Sequence, residues 1–243
     1  MTGQTSDLPP GPARRAEFAL VEAILAGRHP PGSSLPAERA LAARLGVTRP
    51  TLREALQRLH RDGWLTIRHG RETRVNDFWR EGGLNVLDAI VRHGRVLPSG
   101  FVGQLLEVRT LLAPAYARAA VARDGAAVAA HLRAAEALPE SAAEFARFDW
   151  DLHHALAMGS GNPIFALILN GFAGFYRTLA ERYFAAPAGR RSSRAFYRAL
   201  SDAARRGAPA RAESVTRAAM LRSARLWAAV DAPSRRTRRR ARP

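Results

Sequence analysis

Along the first third of the chain the apolar positions recur at helical period and then switch to alternation. Phe18, Val21 and Leu25, with Ile24 beside them, predict a first helix over about 14–27. The turn HPPGSSLP follows. Leu41 and Leu45 lie four apart on one face of a short second helix, with Pro36 suited to its first turn, Glu38 near its positive start and Gly46 as its stop. Thr48 caps a third helix whose inner stripe is Leu52, Leu56 and Leu59, while Arg49, Arg53 and Gln57 step by four along another face. Gly63 ends that helix. Trp64-Leu65-Thr66-Ile67 then alternates like a strand, His69-Gly70-Arg71-Glu72 suits a turn, and Thr73-Arg74-Val75 returns. The order reads as a helix-turn-helix followed by a β-hairpin wing. In such a unit the helix after the turn enters the major groove of DNA, where Arg reads guanine through paired hydrogen bonds.

From Phe101 onward no stretch alternates. Segments rich in Ala, Leu and Arg at helical period cover 101–123, 126–138, 141–158, 163–186, 190–206 and 208–230, and their short connections imply an antiparallel bundle. Pro114 lies inside one of them and predicts a kink. Ser160-Gly161-Asn162-Pro163 is a stop, cap and start in succession. The most apolar run, Pro163 to Tyr176, is interrupted by Asn170 and is shorter than the ~20 residues a bilayer span needs, so a buried bundle helix is expected and no membrane partner. The fold class expected is mainly α: an N-terminal winged helix-turn-helix with a small β-hairpin wing, plus a C-terminal antiparallel α-helical bundle. The domain organisation expected is a disordered N-terminus over 1–13, a DNA-binding domain over 14–78, a linker over 79–100 that includes a short helix Leu84–His93, an effector-binding bundle over 101–231 and a disordered Arg-rich tail over 232–243.

Charge narrows the partners. The chain has 243 residues with 38 basic against 21 acidic, a formal charge of +17, and every basic residue is Arg. That balance favours a polyanion such as nucleic acid or a phosphorylated ligand. The tail carries six Arg within 235–243, suited to salt-sensitive phosphate attraction or simply to solvation. The absence of Cys excludes disulfides, thiolate nucleophiles and Cys-based metal sites. No signal-peptide pattern opens the chain, and a cytoplasmic location is expected. No phosphate-binding Gly loop, Gly-x-Ser-x-Gly motif or complete metal set is present, so no enzyme is expected.

The stretch PAERALAARLGVTRPTLREALQRLHRDGWLTIRHG resembles the winged-helix domain of the GntR superfamily, and within it the FadR branch of fatty-acid-responsive regulators. The resemblance continues at TRVNDFW, GLNVLDAI, LLEVRTLL, SGNPIFALILNG and RYFA, and so spans most of the chain. It implies DNA contacts at Arg39, Thr48, Arg49, Thr51, Arg53, His69 and Gly70. Thr48 and Thr51 would meet phosphate at the helix start, Arg49 and Arg53 would read bases, and His69-Gly70 would be a wing tip entering the minor groove. Pro50 stands where the branch usually has Thr, which removes one N–H and one hydroxyl.

The same resemblance implies a homodimer on a palindromic operator, released by long-chain fatty acyl-CoA, that represses fatty acid degradation and activates unsaturated fatty acid synthesis genes. Its effector positions fall on Arg109, Tyr183, Ser223 and Trp227. Arg109 is flanked by Leu105, Leu106, Leu111 and Leu112, so it needs a partner, either an acid or a ligand. Trp227 suits core packing as well as ligand contact. Related bundles hold a metal through Asp and three His; here Asp149 and His153 match but the remaining positions are Tyr197 and Ser223, so no metal is expected and Asp149 and His153 are read as a hydrogen-bonded helix pair. The alternative effector is a small organic acid, with or without a metal. Where the resembled branch has a small Gly this chain has Met220, expected to narrow the pocket or to change chain-length preference, and where it has Glu this chain has Arg222.

Overall fold

The computed structural model describes residues 11–93 and 100–231. The expectations for 1–10, for 94–99 and for the tail 232–243 lie outside the described residues. The chain divides into two compact units between Leu97 and Pro98.

In the first unit α1 spans Pro12–Leu25. It starts two residues earlier than expected because Pro12, at the first helical position, has its φ already set for a helix. Its buried stripe is Ala16, Leu20, Val21, Ala23 and Ile24, with Phe18 and Leu25 only half-buried at the margins. Next, α2 spans Glu38–Leu45 after an N-cap at Ala37, which leaves Pro36 outside the helix rather than in its first turn. Gly46 closes α2 with φ 63°, a left-handed conformation that a side chain would strain. Helix α3 spans Arg49–Arg61, and Thr48 Oγ1 caps it by accepting from the Thr51 N–H at 3.3 Å. Leu52, Ala55, Leu56 and Leu59 face the core.

The wing strands β1 (Leu65–Thr66) and β2 (Arg74–Val75) are antiparallel, with Leu65 opposite Val75 and Thr66 opposite Arg74. Two-residue strands are marginal alone. A third segment supports them: the Gly32 N–H donates to the Val75 carbonyl, the Val75 N–H to that of Ser33 and the Leu35 N–H to that of Thr73, each at 2.8 Å. Trp64 is fully buried, its ring 5.0 Å from that of Phe78. The unit continues with α4 (Phe78–Glu81) and α5 (Leu84–His93), whose Val86 and Ile90 are buried.

The second unit is a helical bundle: α6 (Phe101–Leu132), a 3-10 turn over Arg133–Ala135, α7 (Ala142–Gly159), α8 (Pro163–Asn170), α9 (Ala173–Ala185), α10 (Pro187–Arg205) and α11 (Pro209–Asp231). A kink is expected at Pro114, but backbone angles stay helical through it; the break in them is at Asp124, with φ −153° and ψ 80°. Asp124 Oδ1 accepts from the Ala127 N–H at 2.8 Å and so caps the second half of α6. At the same break Gly125 lets the Ala204 carbonyl come close, and a Cβ there would stand 2.5 Å from that oxygen. The single helix expected over 163–186 is two, α8 and α9, bent by 73°. Among the described residues no single helix is long and apolar enough to cross a membrane. Packing is chiefly α6 against α11, α10 and α7, with α9 laid on α7.

Gly125→Ala forces this contact apart. A loss of about 1–3 kcal/mol is expected, read as a lower urea midpoint at unchanged helical content.

Candidate effector cavity and nucleic-acid interface

The bundle encloses an apolar cavity of about 110 Å³ walled by α6, α7, α8, α9 and α11. Leu105, Leu106 and Leu112 line it from α6, Phe165 and Leu169 from α8, and Phe172 lies between α8 and α9. Of the four positions expected to face an effector, Arg109, Tyr183, Ser223 and Trp227 all line it. Ser223 Oγ donates to the Met220 carbonyl at 2.8 Å, so its proton is already engaged on its own helix. Trp227 is buried with its Nε1 donor unpartnered among the described residues, and the Arg182 guanidinium lies 5.3 Å from its ring. Met220 does not line this cavity. It borders a small second one that shares Arg109, Asp149, Tyr183 and Ser223, and Arg222 is exposed.

Arg109 finds an acid and lines the cavity at once. Its Nη2 donates to Asp149 Oδ2 and to His153 Nε2, both at 2.7 Å. The side chains of Asp149 and His153 are therefore not hydrogen-bonded to each other, contrary to the sequence reading; His153 Nε2 and Asp149 Oδ2 are 3.9 Å apart and the guanidinium bridges them. Tyr197 donates to Asp149 Oδ1 at 2.8 Å and Tyr176 donates to Oδ2. His153 Nδ1 faces the Tyr116 hydroxyl at 2.6 Å. Since Nε2 accepts from Arg109, the ring proton of neutral His153 belongs on Nδ1.

The electrostatics follow from burial. It works against the Asp149 charge, but the Arg109 guanidinium and the two phenol donors outweigh it and hold the carboxyl below its usual range. Burial also works against the Arg109 charge, yet its surroundings hold its pKa above the ordinary value. Tyr176 and Tyr197 are pushed far up, chiefly by burial, and stay protonated donors. Burial and the neighbouring guanidinium push His153 down to about 3. This set does not fit a metal: both first donors already accept from a cation, and no group of three or more His, Cys, Asp or Glu converges among the described residues. Of the phenols only Tyr197 is singled out by the sequence, as a mismatch in a metal set; Tyr116 and Tyr176 sit on two other helices with no local signal that joins them to Asp149 or His153.

In the first unit Arg39, Thr48, Arg49 and Arg53 are exposed on α2, at the cap of α3 and on its first turns, with Thr51 half-buried. His69 and Gly70 are exposed at the hairpin tip, where Gly70 has φ 70° and the Arg71 N–H donates to the Arg68 carbonyl. Pro50 lies in the first turn of α3. Glu38, read from sequence only as a charge near a helix start, also reaches across to α3. Its Oε2 accepts from Arg53 Nε at 2.8 Å and lies 3.8 Å from Arg49 Nη2.

Comparison with known proteins decides the family. Residues 12–75 match the family of bacterial regulatory proteins termed gntR, and residues 76–234 match the FadR C-terminal domain. The chain belongs to the FadR branch of the GntR family. A fatty acid metabolism regulator protein of Shewanella amazonensis is 44% identical over 220 residues, covering 89% of this chain and 90% of that one. One from Edwardsiella ictaluri is 47% identical over 193 residues, covering 79% and 81%. A solved structure titled for Lar, which controls expression of the Listeria monocytogenes agr system, covers 90% of this chain and 100% of its own at 18% identity and a TM-score of 0.54, which supports the fold alone. This FadR-type chain is a DNA-binding transcription regulator of fatty acid metabolism, not an enzyme.

Two outcomes test the buried network. Arg109→Met leaves Asp149 charged and unpaired, and a loss of about 3–5 kcal/mol at neutral pH is expected from denaturant unfolding, shrinking as acid neutralises the carboxyl. His153 has a folded pKa near 3, below its ordinary 6.5, so the folded state binds fewer protons. Its stabilisation is complete above pH 6.5 and is lost as pH falls toward 3, and His153→Gln should flatten the fall in unfolding midpoint over that window.

Proposed function

We propose that this regulator binds a palindromic operator as a homodimer in the cytoplasm and is released by long-chain fatty acyl-CoA, repressing fatty acid degradation genes and activating unsaturated fatty acid synthesis genes. The observation that carries the effector half is the apolar cavity with a single guanidinium in its wall, already neutralised by Asp149. Such a lining suits a hydrocarbon chain rather than a small anion. Trp227 Nε1 offers a donor for a carbonyl. At about 110 Å³ the cavity is well below the ~300–1,000 Å³ of sites that enclose sizeable ligands. A long acyl chain therefore enters only as the surrounding helices part, and this binding-linked rearrangement is the source of the switch.

For the DNA half, Arg49 and Arg53 read base edges from the first turns of α3, Arg39, Thr48 and Thr51 hold phosphate or a guanine edge, and His69-Gly70 enters the minor groove. Operator symmetry then requires two copies. Ligand and DNA oppose each other reciprocally, by the same factor. The alternative effector is a small organic acid, with or without a metal; its metal-held form is disfavoured by the guanidinium that already occupies both Asp149 and His153.

Titration with oleoyl-CoA should change tryptophan fluorescence and release the operator over the same concentration range. Release by a small carboxylate with a divalent ion, and no response to acyl-CoA, would replace this effector assignment. Arg49→Ala or Arg53→Ala should each weaken operator binding by about 1–3 kcal/mol and relax base preference.

A further inference from the structure

The shared carboxylate of Glu38 has a geometry that helix-end electrostatics does not explain. One oxygen serves two arginines that lie a turn apart on α3, at 2.8 Å from Arg53 Nε and 3.8 Å from Arg49 Nη2. All three side chains are open to solvent, with 58% of Arg49, 61% of Arg53 and 35% of Glu38 exposed. Ion pairs so exposed contribute little to folding. The contact does something else to the arginines. A guanidinium has two hydrogen-bonding edges, and Glu38 takes Arg53 by the Nε side. The edge formed by its two terminal nitrogens stays open, and that edge can dock on O6 and N7 of guanine. The long, flexible side chain of Arg53 is thereby aimed before DNA arrives, and less ordering remains to be done at the moment of contact.

We propose that Glu38 is a positioning and specificity-determining residue for base reading: it acts through Arg53, which it orients by a hydrogen bond from the neighbouring helix α2, with Arg49 within ion-pair range of the same oxygen. This rests on the reading of those two arginines as base readers. A second effect has the same sign. A carboxylate beside the arginines repels phosphate, so it weakens attraction to arbitrary duplex while aiding the oriented contact. Glu38 thus widens the gap between operator and random DNA from both ends. The bridge spans fifteen positions and depends on the α2–α3 crossing that Gly46 permits, not on α3 alone.

The test uses the full chain and a pool of randomised duplexes. Wild type, Glu38→Ala, Glu38→Gln and Arg53→Ala are each carried through rounds of selection at one fixed salt concentration. The enriched and random duplexes are then compared by affinity, and thermal midpoints are recorded. Glu38→Ala should lower the enriched-to-random ratio roughly tenfold, about the discrimination of one paired base contact. Guanine preference should fall at the positions that Arg53→Ala also loses. Affinity for random duplex should hold or rise, the thermal midpoint should not move, and Glu38→Gln, which still offers an acceptor oxygen, should recover part of the preference. A fold-level role would move the midpoint and lower both affinities together, which would overturn the proposal. It is also overturned if motif and ratio are unchanged, if the enriched duplex binds Glu38→Ala more tightly, or if preference is lost only at a base pair indifferent to Arg53. A wild-type pool that enriches no motif would sink the base-reading assignment itself, and the wild-type arm tells that failure apart.

Discussion

A guanidinium held among leucines is the constraint around which the bundle is arranged. Arg109 cannot sit in an apolar wall without an acid, and Asp149 cannot be buried without a cation. Each makes the other tolerable, and the lone pairs left over on Asp149 are taken by phenols from α9 and α10. His153 closes the set by accepting from the same guanidinium and facing Tyr116 on α6. Four helices of the bundle therefore meet at one ionic knot, and the cavity opens directly on it. A ligand entering that space meets hydrocarbon on nearly every side, and a guanidinium whose Nη2 is already engaged by Asp149 and His153.

The two units use the same chemistry for opposite ends. In the bundle an Arg–Asp pair is buried, and breaking it would strand a charge. On the first unit an Arg–Glu contact is exposed, contributes little to folding and leaves both arginines reachable. Burial alone separates a structural cation from one that stays available to a partner. The same pairing leaves Asp149 and His153 engaged with an internal cation rather than free to converge on a metal.

The first unit was legible in sequence because its signals are local. A cap at Thr48, a left-handed stop at Gly46, leucines at helical spacing and an alternating run with a glycine turn each speak within a few residues. The ends of α1 and the exact burial of Phe18 and Leu25 were less clear, since periodicity names an apolar arc without fixing its centre. The bundle was legible as helices and not as a site. Arg109 and Asp149 are 40 positions apart, and nothing in either neighbourhood announces the other. Periodicity also carries no information about axis direction, so α8 and α9 read as one helix although they meet at 73°. The break in α6 went to Asp124 and Gly125, where a capping side chain and a close carbonyl act together, while Pro114 kept helical angles.

The backbone ladder between residues 32–35 and β2 makes the connection ahead of α2 part of the sheet. A surface loop rich in Pro, Gly and Ser would ordinarily be a good place to open a chain or insert a tag. Here the final residues of that loop supply an edge strand to the hairpin, so a nick or insertion between Gly32 and Leu35 would unmoor the wing tip nearly 40 residues downstream. The hairpin and the helix-turn-helix are on that account one mechanical piece, and a nick or insertion in this region is better placed between Gly27 and Pro30.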